Sequence, residues 1–116
     1  MSLPDDARAA ATRQLEQFCR ERTPEDSRAQ LRLEFAVRGA AITLVERRAP
    51  WNPQLGTEWT TQPLAQLRYD AGTAAWALYW RRHTDRWHRY EGVDAASDIR
   101  PLLAEIDADP DGVFWG

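Results

Sequence analysis

The first stretch of the chain repeats its apolar residues with the period of a helix. Over residues 5–22 the apolar side chains recur three or four positions apart, as Ala7, Ala11, Leu15, Phe18 and Cys19. This spacing places them on one stripe of an amphipathic helix. Ser2 and Asp5 have the spacing of a capping box, and Pro4 suits a first helical turn. The pattern therefore predicts a first helix over residues 5–22, followed by a turn at Thr23.

The next part of the chain alternates apolar and polar residues, which is the period of a strand with one buried face. Its apolar positions are Leu31, Leu33, Phe35 and Val37. Residues 39–40, a glycine and an alanine, fit a two-residue hairpin turn. Pairing across that turn sets Val37 opposite Ile42, and the next buried pair is Phe35 with Leu44. The apolar faces of the two strands then coincide, so the pattern predicts a hairpin in this register.

A long connection separates this hairpin from the following strands. Residues 49–62 contain two prolines and a glycine, and they exceed the usual connection of about 4–6 residues. Pro63 opens a third strand, which ends at a turn over residues 70–72. The alternation then predicts strands four and five over residues 75–82 and 85–91.

The tip of the last hairpin decides which side chains share a face. With His83 and Thr84 as the turn, Trp80 lies opposite Trp87. This register places four apolar residues on one face: Trp76, Leu78, Trp80 and Trp87. The opposite face then carries Tyr79, Arg81, Arg86, His88 and Tyr90.

The C-terminal part of the chain returns to a helical period. Ser97 caps a second helix whose apolar residues are Ile99, Leu102, Leu103 and Ile106. The fold class predicted is α+β, with an antiparallel meander of about five strands between an N-terminal and a C-terminal helix. We expect one core, formed by Leu15, Phe18, Leu31, Leu33, Phe35, Val37, Ile42, Leu44, Trp76, Leu78, Trp80, Leu102, Leu103 and Ile106.

Length and composition narrow the class of protein. At 116 residues the chain has the size of one domain, 1–116, and its hydrophobic share of 43% argues against disorder. A single cysteine excludes an internal disulfide, and the first thirty residues lack the apolar stretch of a secretory signal. No apolar run approaches the roughly 18 residues of a membrane span. We therefore expect a cytoplasmic protein without a membrane partner.

The charges are distributed unevenly along the chain. All fifteen basic residues are arginines, and we attribute this to the codon usage of a GC-rich bacterium rather than to phosphate binding. Residues 1–75 carry no net charge, residues 76–90 carry +3, and residues 91–116 carry −6, which together give the chain its net charge of −3. A basic hairpin is thus followed by an acidic tail.

Several sequence segments together resemble a known family. They are Glu-Arg-Arg-Ala-Pro-Trp at 46–51, Glu-Trp-Thr at 58–60, Leu-Arg-Tyr at 67–69, Trp-Ala-Leu-Tyr-Trp at 76–80, Trp-His-Arg-Tyr at 87–90 and Asp-Pro-Asp-Gly-Val-Phe-Trp-Gly at 109–116. They resemble short bacterial proteins catalogued as domain of unknown function 3024. The resemblance extends over nearly the whole chain, and the Phe-Trp-Gly ending is its most specific part. It implies no activity, and therefore no catalytic residue.

The residues that carry enzyme or metal chemistry are few. Asp107, Asp109 and Asp111 match the start of a calcium loop, but the bidentate glutamate that such a loop needs is missing, so we interpret them as an acidic turn. For His88, a structural role is favoured over that of a general base. Cys19 is interpreted as a small buried hydrophobe. We predict no catalytic residue, no metal site and no cofactor.

A binding surface is the most specific functional hypothesis from the residues. Arginines and aromatic rings interleave in the last hairpin and extend to the long loop, giving the candidate binding residues Arg48, Trp51, Trp59, Tyr79, Arg81, Arg86, His88 and Tyr90. The favoured function is a non-enzymatic interaction module for a protein partner or for a second copy of the chain. The alternative is single-stranded nucleic-acid binding through the basic hairpin 76–90. A simpler explanation is that the rings fill a small core and that the arginines lie across it.

Two expectations concern the C-terminal tail. Phe114 and Trp115 are expected to dock on the protein, because two large exposed rings are unfavourable. The aspartates at 107, 109 and 111 are expected to fold back near Arg81 and Arg86 and to neutralise the basic hairpin.

Overall fold

The computed structural model describes residues 3–23, 30–50, 54, 56, 58–81 and 85–115. In this part of the chain two helices flank five strands: α1 (Asp5–Arg22), β1 (Leu31–Arg38), β2 (Ala41–Arg48), β3 (Thr60–Asp70), β4 (Ala75–Arg81), β5 (Trp87–Arg89) and α2 (Arg100–Ala108). The strands form one antiparallel sheet in the order β1-β2-β3-β4-β5. The predicted α+β meander is therefore confirmed.

Two strand boundaries differ from the predicted ones. β3 begins at Thr60 rather than at Pro63, because residues 60–62 pair with the end of β2. These added residues are polar and exposed, so the apolar alternation gave no sign of them. β5 covers only Trp87–Arg89, which is shorter than the predicted range of 85–91.

The first hairpin has the predicted register. Val37 pairs with Ile42 and Phe35 pairs with Leu44. Gly39 has a φ of 60°, a conformation that glycine adopts without strain. The next pair of strands contains an irregularity beside Leu44, where the extra residue Leu64 of β3 is buried next to Ala65. Such a bulge bends a sheet and increases its twist.

The last hairpin pairs one residue away from the predicted register. Trp80 lies opposite His88, and Arg81 lies opposite Trp87. The prediction that Trp80 faces Trp87 is therefore wrong, because Trp80 and Trp87 are one residue out of register and lie on opposite faces of the sheet. Residues 82–84, which include the proposed turn, lie outside the described part of the chain. The shift moves Trp87 to the opposite face of the sheet.

Both helices pack on the same face of the sheet. The buried apolar residues form one cluster that combines helix side chains with one face of the strands: Leu3, Ala11, Leu15, Cys19, Leu33, Ile42, Leu44, Leu64, Ala65, Leu67, Trp76, Leu78, Tyr90, Ile99, Leu102, Leu103, Ile106 and Phe114. Phe18, Phe35, Val37 and Trp80 pack against it, so the predicted core is confirmed except for Leu31, which is half-buried. An ion pair between Arg22 and Asp107 ties the end of α1 to α2. Within the described residues, neither helix is long and apolar enough to cross a membrane.

Candidate binding surface on the open face of the sheet

The face of the sheet away from the helices carries a separate set of side chains. Alternation along each strand and the observed register assign these residues to it, and we call this set the open face. Its members are Arg32, Glu34, Ala36, Arg38, Ala41, Thr43, Val45, Arg47, Thr61, Pro63, Gln66, Arg68, Asp70, Ala75, Ala77, Tyr79, Arg81, Trp87 and Arg89. None of these residues is buried. The open face is therefore available to a partner over the whole described width of the sheet.

Positive charge is concentrated on the open face. Its residues include six arginines and two acids, Glu34 and Asp70, which gives a net charge of +4. The whole chain has a formal net charge of −3, so the remaining residues together carry −7. A sheet face with this excess attracts anions, although the protein as a whole is acidic.

Arginines of the open face lie against aromatic rings. The guanidinium carbon of Arg68 is 4.0 Å from the centre of the Tyr79 ring. On the same face, at the β1 edge of the sheet, the guanidinium carbon of Arg32 is 4.5 Å from the centre of the Trp59 ring. Arg81 lies 5.7 Å from the Trp87 ring. Trp59 immediately precedes β3, so the end of the long connection adds its ring to the open face.

Hydrogen bonds on β2 and β3, together with a ring contact on β4, fix part of this arrangement. Gln66 on β3 donates from Nε2 to Thr43 Oγ1 on β2, at 3.0 Å. The Gln66 Oε1 atom accepts from Arg68 Nε at 2.7 Å. Arg68 then lies over Tyr79 of β4. The guanidinium therefore has a defined position, although Arg68 is exposed.

Three of the predicted binding residues lie together on or beside the open face. Tyr79 and Arg81 are members of it, and Trp59 stacks against its arginines. Arg48 lies on the opposite side of β2, where its Nε donates to Glu46 Oε1 at 2.5 Å. The structure thus separates Arg48 from the other three residues.

Two further predicted residues lie apart from this group or beyond what is described. Arg86 is exposed immediately before β5 and outside the paired strands. Trp51 lies outside the described residues.

His88 and Tyr90 do not share a face with Tyr79, and the predicted grouping is wrong for both. The one-residue shift of the hairpin places His88 beside Trp80, with ring centres 5.5 Å apart. Tyr90 is 4% exposed, and its hydroxyl donates to Glu105 Oε1 at 2.9 Å. Burial, that hydrogen bond and the nearby carboxylates raise the pKa of Tyr90 to about 12. Both residues therefore belong to the side of the sheet that carries the helices.

The predicted docking of the C-terminal end is confirmed. Phe114 is buried, and its ring centre is 5.2 Å from that of Tyr90. Trp115 donates from Nε1 to the carbonyl of Ile106 at 2.7 Å, while the Arg22 guanidinium lies 4.7 Å from its ring. The Phe-Trp ending is therefore docked, with Phe114 in the buried cluster and Trp115 bonded to α2.

The acidic tail has contacts other than those expected for a cover over the basic hairpin. Asp107 pairs with Arg22. The Asp109 carboxylate accepts hydrogen bonds from three backbone amides of residues 113–115, at 2.8, 3.2 and 2.9 Å. Asp111 lies 3.5 Å from the Tyr90 hydroxyl. These aspartates therefore organise the C-terminal turn on the helix side of the sheet.

Comparison with known families identifies the chain at the level of its family. The sequence model of the family described as Domain of unknown function (DUF3024) matches residues 3–116. The chain belongs to this family. No curated protein and no solved structure matches the chain. The DUF3024 description gives no activity, so a function for this member has to be argued from its open face.

Sequence reasoning missed much of the surface of this DUF3024 protein. It did not assign to the candidate site Arg32, Arg38, Arg47, Arg68, Trp87 and Arg89. The sequence did contain a signal for Arg32, Arg38, Arg47 and Arg68. These arginines occupy the polar positions of strands in which apolar and polar residues alternate. Combining that alternation with the meander order places them on one face. Trp87 and Arg89 were assigned to the wrong face by the register of the last hairpin.

The chemistry of the other reactive groups does not extend the site. Cys19 is buried, and burial together with the charge of Glu34 raises the pKa of its thiol to about 11. The thiol therefore stays protonated at neutral pH, as expected for a small buried side chain. Among the residues that the structure describes, no group of three or more histidine, cysteine or acidic side chains is arranged to hold a metal ion.

Proposed function

We propose that this DUF3024 protein is a binding module that holds single-stranded nucleic acid on the open face of its sheet. The observation that carries the proposal is the group of six arginines and three adjoining aromatic rings on an unburied face with a net charge of +4. On this proposal the binding surface extends across all five strands, and the hairpin 76–90 is only one part of it.

The arginines supply the contacts to phosphate. A guanidinium presents several N–H donors in a fork that matches two phosphate oxygens, and neutralising a phosphate releases bound counterions. Arg38 and Arg89 are exposed at different margins of the open face, and Arg68 lies between them in the order of the strands. A polyanion that crosses the strands therefore meets a cation at several points along its length.

The aromatic rings favour unpaired bases over a duplex. Bases in a single strand stack on aromatic side chains or on guanidinium planes, whereas duplex bases already stack on one another. Tyr79 has Arg68 over its ring and Arg89 as its register partner on β5. Small side chains, including Ala36, Ala41 and Ala77, lie elsewhere on the open face and let a strand approach the sheet.

The charge of the open face makes a second copy of the chain or a protein partner a poorer match than nucleic acid. A second copy that docked face to face would bring two surfaces of +4 together, and like charges oppose that contact. A protein partner would need an acidic surface of matching shape. Nucleic acid supplies both the repeated negative charge and the flat rings, so it matches both features of the face.

A binding titration on the purified protein tests the proposal. A fluorescein-labelled single-stranded oligonucleotide of mixed sequence is titrated with protein, and anisotropy is followed from 50 to 300 mM salt. If all six arginines neutralise phosphates, the slope of log K against log salt reaches about −4, since each contact contributes about −0.7 for single strands. An aromatic protein interface has no such dependence.

Two variants with equal charge separate the open face from net charge. In the first, Arg38, Arg68 and Arg89 are changed to glutamine, which removes three open-face cations. In the second, three exposed arginines of α1 are changed instead: Arg8, Arg13 and Arg20. We expect a loss of more than tenfold in affinity for the first and a slope reduced by about 2, with little change for the second. Equal losses for the two variants, or no binding by the natural protein at 50 mM salt, would overturn the proposal.

A further inference from the structure

The outer edge of β1 is long and regular, unlike the other edge of the sheet. β1 has eight residues, contains no proline and pairs with β2 without a bulge. β5, at the opposite edge, has only three residues. No described strand pairs with β1 on its outer side. Proteins usually shorten, bend or cover such an edge, because its unpaired backbone groups attract another strand.

Half of the backbone groups of β1 are used by β2. The two-residue turn makes Arg38 and Ala41 a hydrogen-bonded pair, and at the other end of the strand Ala49 N donates to the carbonyl of Gln30 at 2.9 Å. The residues that bond to β2 are therefore the even-numbered ones. The odd-numbered residues of β1 direct their N–H and C=O groups to the outer edge.

The hairpin end of this outer edge has backbone groups and apolar side chains to offer. Leu33 N–H donates to Thr23 Oγ1 at 3.3 Å, so the residue that follows α1 covers the edge at that point. Within the described residues, the outer N–H groups of Phe35 and Val37 have no such partner. Their side chains are only partly buried.

A cavity of about 480 Å³ lies along the same edge. Its lining includes Cys19 of α1, Leu33 and Phe35 from the helix side of β1, and Arg32 and Glu34 from the open face. A cavity that borders both faces of one strand lies at the outer edge of that strand. It therefore leaves room beside β1 for a further strand.

The charges on β1 exclude several ways of pairing two copies of the chain edge to edge. In an antiparallel pair the outward residues of one copy bond to the outward residues of the other, so the pairing is centred on one residue of β1. Centring on Glu34 places two carboxylates opposite each other, and centring on Phe35 places Arg32 opposite Arg38. Like charges directly opposite each other oppose pairing.

A pairing centred on Ala36 makes every opposed pair favourable. Glu34 of each copy lies opposite Arg38 of the other, so two ion pairs form on the open face. On the helix side Phe35 lies opposite Val37, and each such pair exchanges both of its N–H···O bonds. Their outer backbone groups and their apolar side chains are then satisfied together.

The covered part of the edge agrees with the same register. With Ala36 at the centre, Leu33 lies opposite Gly39 of the second copy, where the strand of that copy has ended. Leu33 N–H then keeps its bond to Thr23. Centring on Leu33 would instead require that N–H for the second copy.

Glu34 can contact an arginine on each side. Arg47 of β2 lies 3.5 Å from its carboxylate, and the Glu34 side chain is still 43% exposed. The second copy approaches from the outer edge, opposite to β2, and brings its own exposed Arg38. The carboxylate can therefore accept from both arginines.

We infer that the protein forms a symmetric dimer by antiparallel pairing of two β1 strands centred on Ala36. The pairing is edge to edge, so it does not press the two positive open faces together, and it does not depend on the proposed function. Directly opposed residues of an antiparallel pair point to the same side, so the dimer joins two five-stranded sheets into one. Their open faces then form one continuous surface.

Sedimentation equilibrium of the full chain, without nucleic acid, tests the dimer. Protein concentrations of about 1–500 µM cover the affinities of small interfaces. We expect the natural protein to approach twice the monomer mass within this range. Glu34→Arg and Arg38→Glu each place like charges opposite one another, and each should weaken dimerisation more than about tenfold. A natural protein that stays monomeric throughout, or variants that dimerise like it, would overturn the inference.

A mixture of the two variants tests the register. Across a mixed dimer of Glu34→Arg and Arg38→Glu, every opposed charge pair again combines an arginine with a glutamate. The equimolar mixture should therefore dimerise at least about tenfold more tightly than either variant alone. Arg89→Glu, an exposed position at the β5 edge of the same face, is the control for net charge and should dimerise like the natural protein.

The double variant with both exchanges provides a second measurement if a single variant does not fold. It has the composition of the natural protein and restores both ion pairs in a dimer of identical chains. A mixture that remains monomeric, or a folded double variant that remains monomeric, would show that β1 does not pair in this register.

Discussion

The guanidinium carbon of Arg68 lies 4.0 Å from the centre of the Tyr79 ring, and the two side chains come from neighbouring strands. Gln66 accepts a hydrogen bond from the same guanidinium through Arg68 Nε. An exposed arginine normally samples many rotamers, and ordering it opposes binding by roughly 1 kcal/mol or more. The ring and the amide order this arginine before any ligand arrives. The open face therefore presents a preorganised cation.

A substitution that removes the Tyr79 ring should lower oligonucleotide affinity with little effect on the stability of the fold. Tyr79→Leu removes the aromatic face, and we expect oligonucleotide affinity to fall by about 1–3 kcal/mol, the usual value for one stacked base. The free energy of unfolding should change by less than about 1 kcal/mol, because Tyr79 lies outside the buried cluster. Anisotropy titration and urea unfolding measure the two quantities. Tyr79→Phe retains the ring and is the control, so equal binding by the two variants would exclude stacking at this position.

The first hairpin could be predicted from sequence because two signals agree there. Alternation gives only one face of β1 an apolar character, and Gly39 marks the turn. A one-residue slip would move Ile42 and Leu44 to the face opposite that of Val37 and Phe35, so only one register puts both apolar sets on the same face. The observed register is the same.

The last strand of the final hairpin lacks this difference between an apolar face and a polar face. Large aromatic rings occur at both alternating positions of the last strand segment, Trp87 on one face and Tyr90 on the other, so its pattern alone does not decide which face is buried. The tip sequence then decided the prediction, and the observed pairing differs from it by one residue. The error moved His88 and Tyr90 onto the candidate binding face and moved Trp87 off it.

The open face combines residues from several strands, so no single segment of the sequence predicts it. Arg32, Arg47 and Arg68 lie on three different strands, and local alternation shows only that each is on a polar side. Their assembly into one surface follows from the order and registers of all the strands. The long connection also had to return Trp59 to β1, which is a tertiary contact with no local signal. The fold was therefore more predictable than the surface.

Asp109 is expected to control the docking of the C-terminal end. It ends α2 in the left-handed conformation, with φ of 41°, and its carboxylate accepts three backbone N–H groups. Asp109→Ala leaves those donors unsatisfied and places an unsuited residue at a positive φ. We expect the melting temperature to fall by several degrees, which corresponds to about 1–3 kcal/mol.

Two further variants define the cause of that loss. Asp109→Asn keeps one acceptor oxygen and tolerates the left-handed conformation, so its melting temperature should lie between those of the natural protein and Asp109→Ala. Asp94→Ala removes an exposed aspartate and should have little effect. If Asp109→Ala melts like Asp94→Ala, the amide hydrogen bonds do not hold the C-terminal segment in solution.

Tyr90 should make the protein less stable at alkaline pH. Burial and the Glu105 and Asp111 carboxylates raise the pKa of its phenol from 10 to about 12 in the folded state. Between these values the folded protein keeps a proton that the unfolded chain releases, so the stabilisation is complete below pH 10 and is lost as pH rises toward 12. Within this window the contribution falls by about 1.4 kcal/mol per pH unit.

A comparison with Tyr90→Phe isolates this contribution from other groups that titrate at high pH, such as the Cys19 thiol, whose pKa is also raised. Below pH 10 the variant should be less stable by about 1 kcal/mol, because it lacks the hydrogen bond to Glu105. Above pH 10 the natural protein alone loses stability through the phenol, so the difference should shrink and then change sign. Urea unfolding at intervals from pH 9 to 11.5 measures it, and both proteins share the Cys19 contribution, which cancels. A difference that stays constant over this range would mean that the phenol has its ordinary pKa and that the carboxylates do not hold its proton.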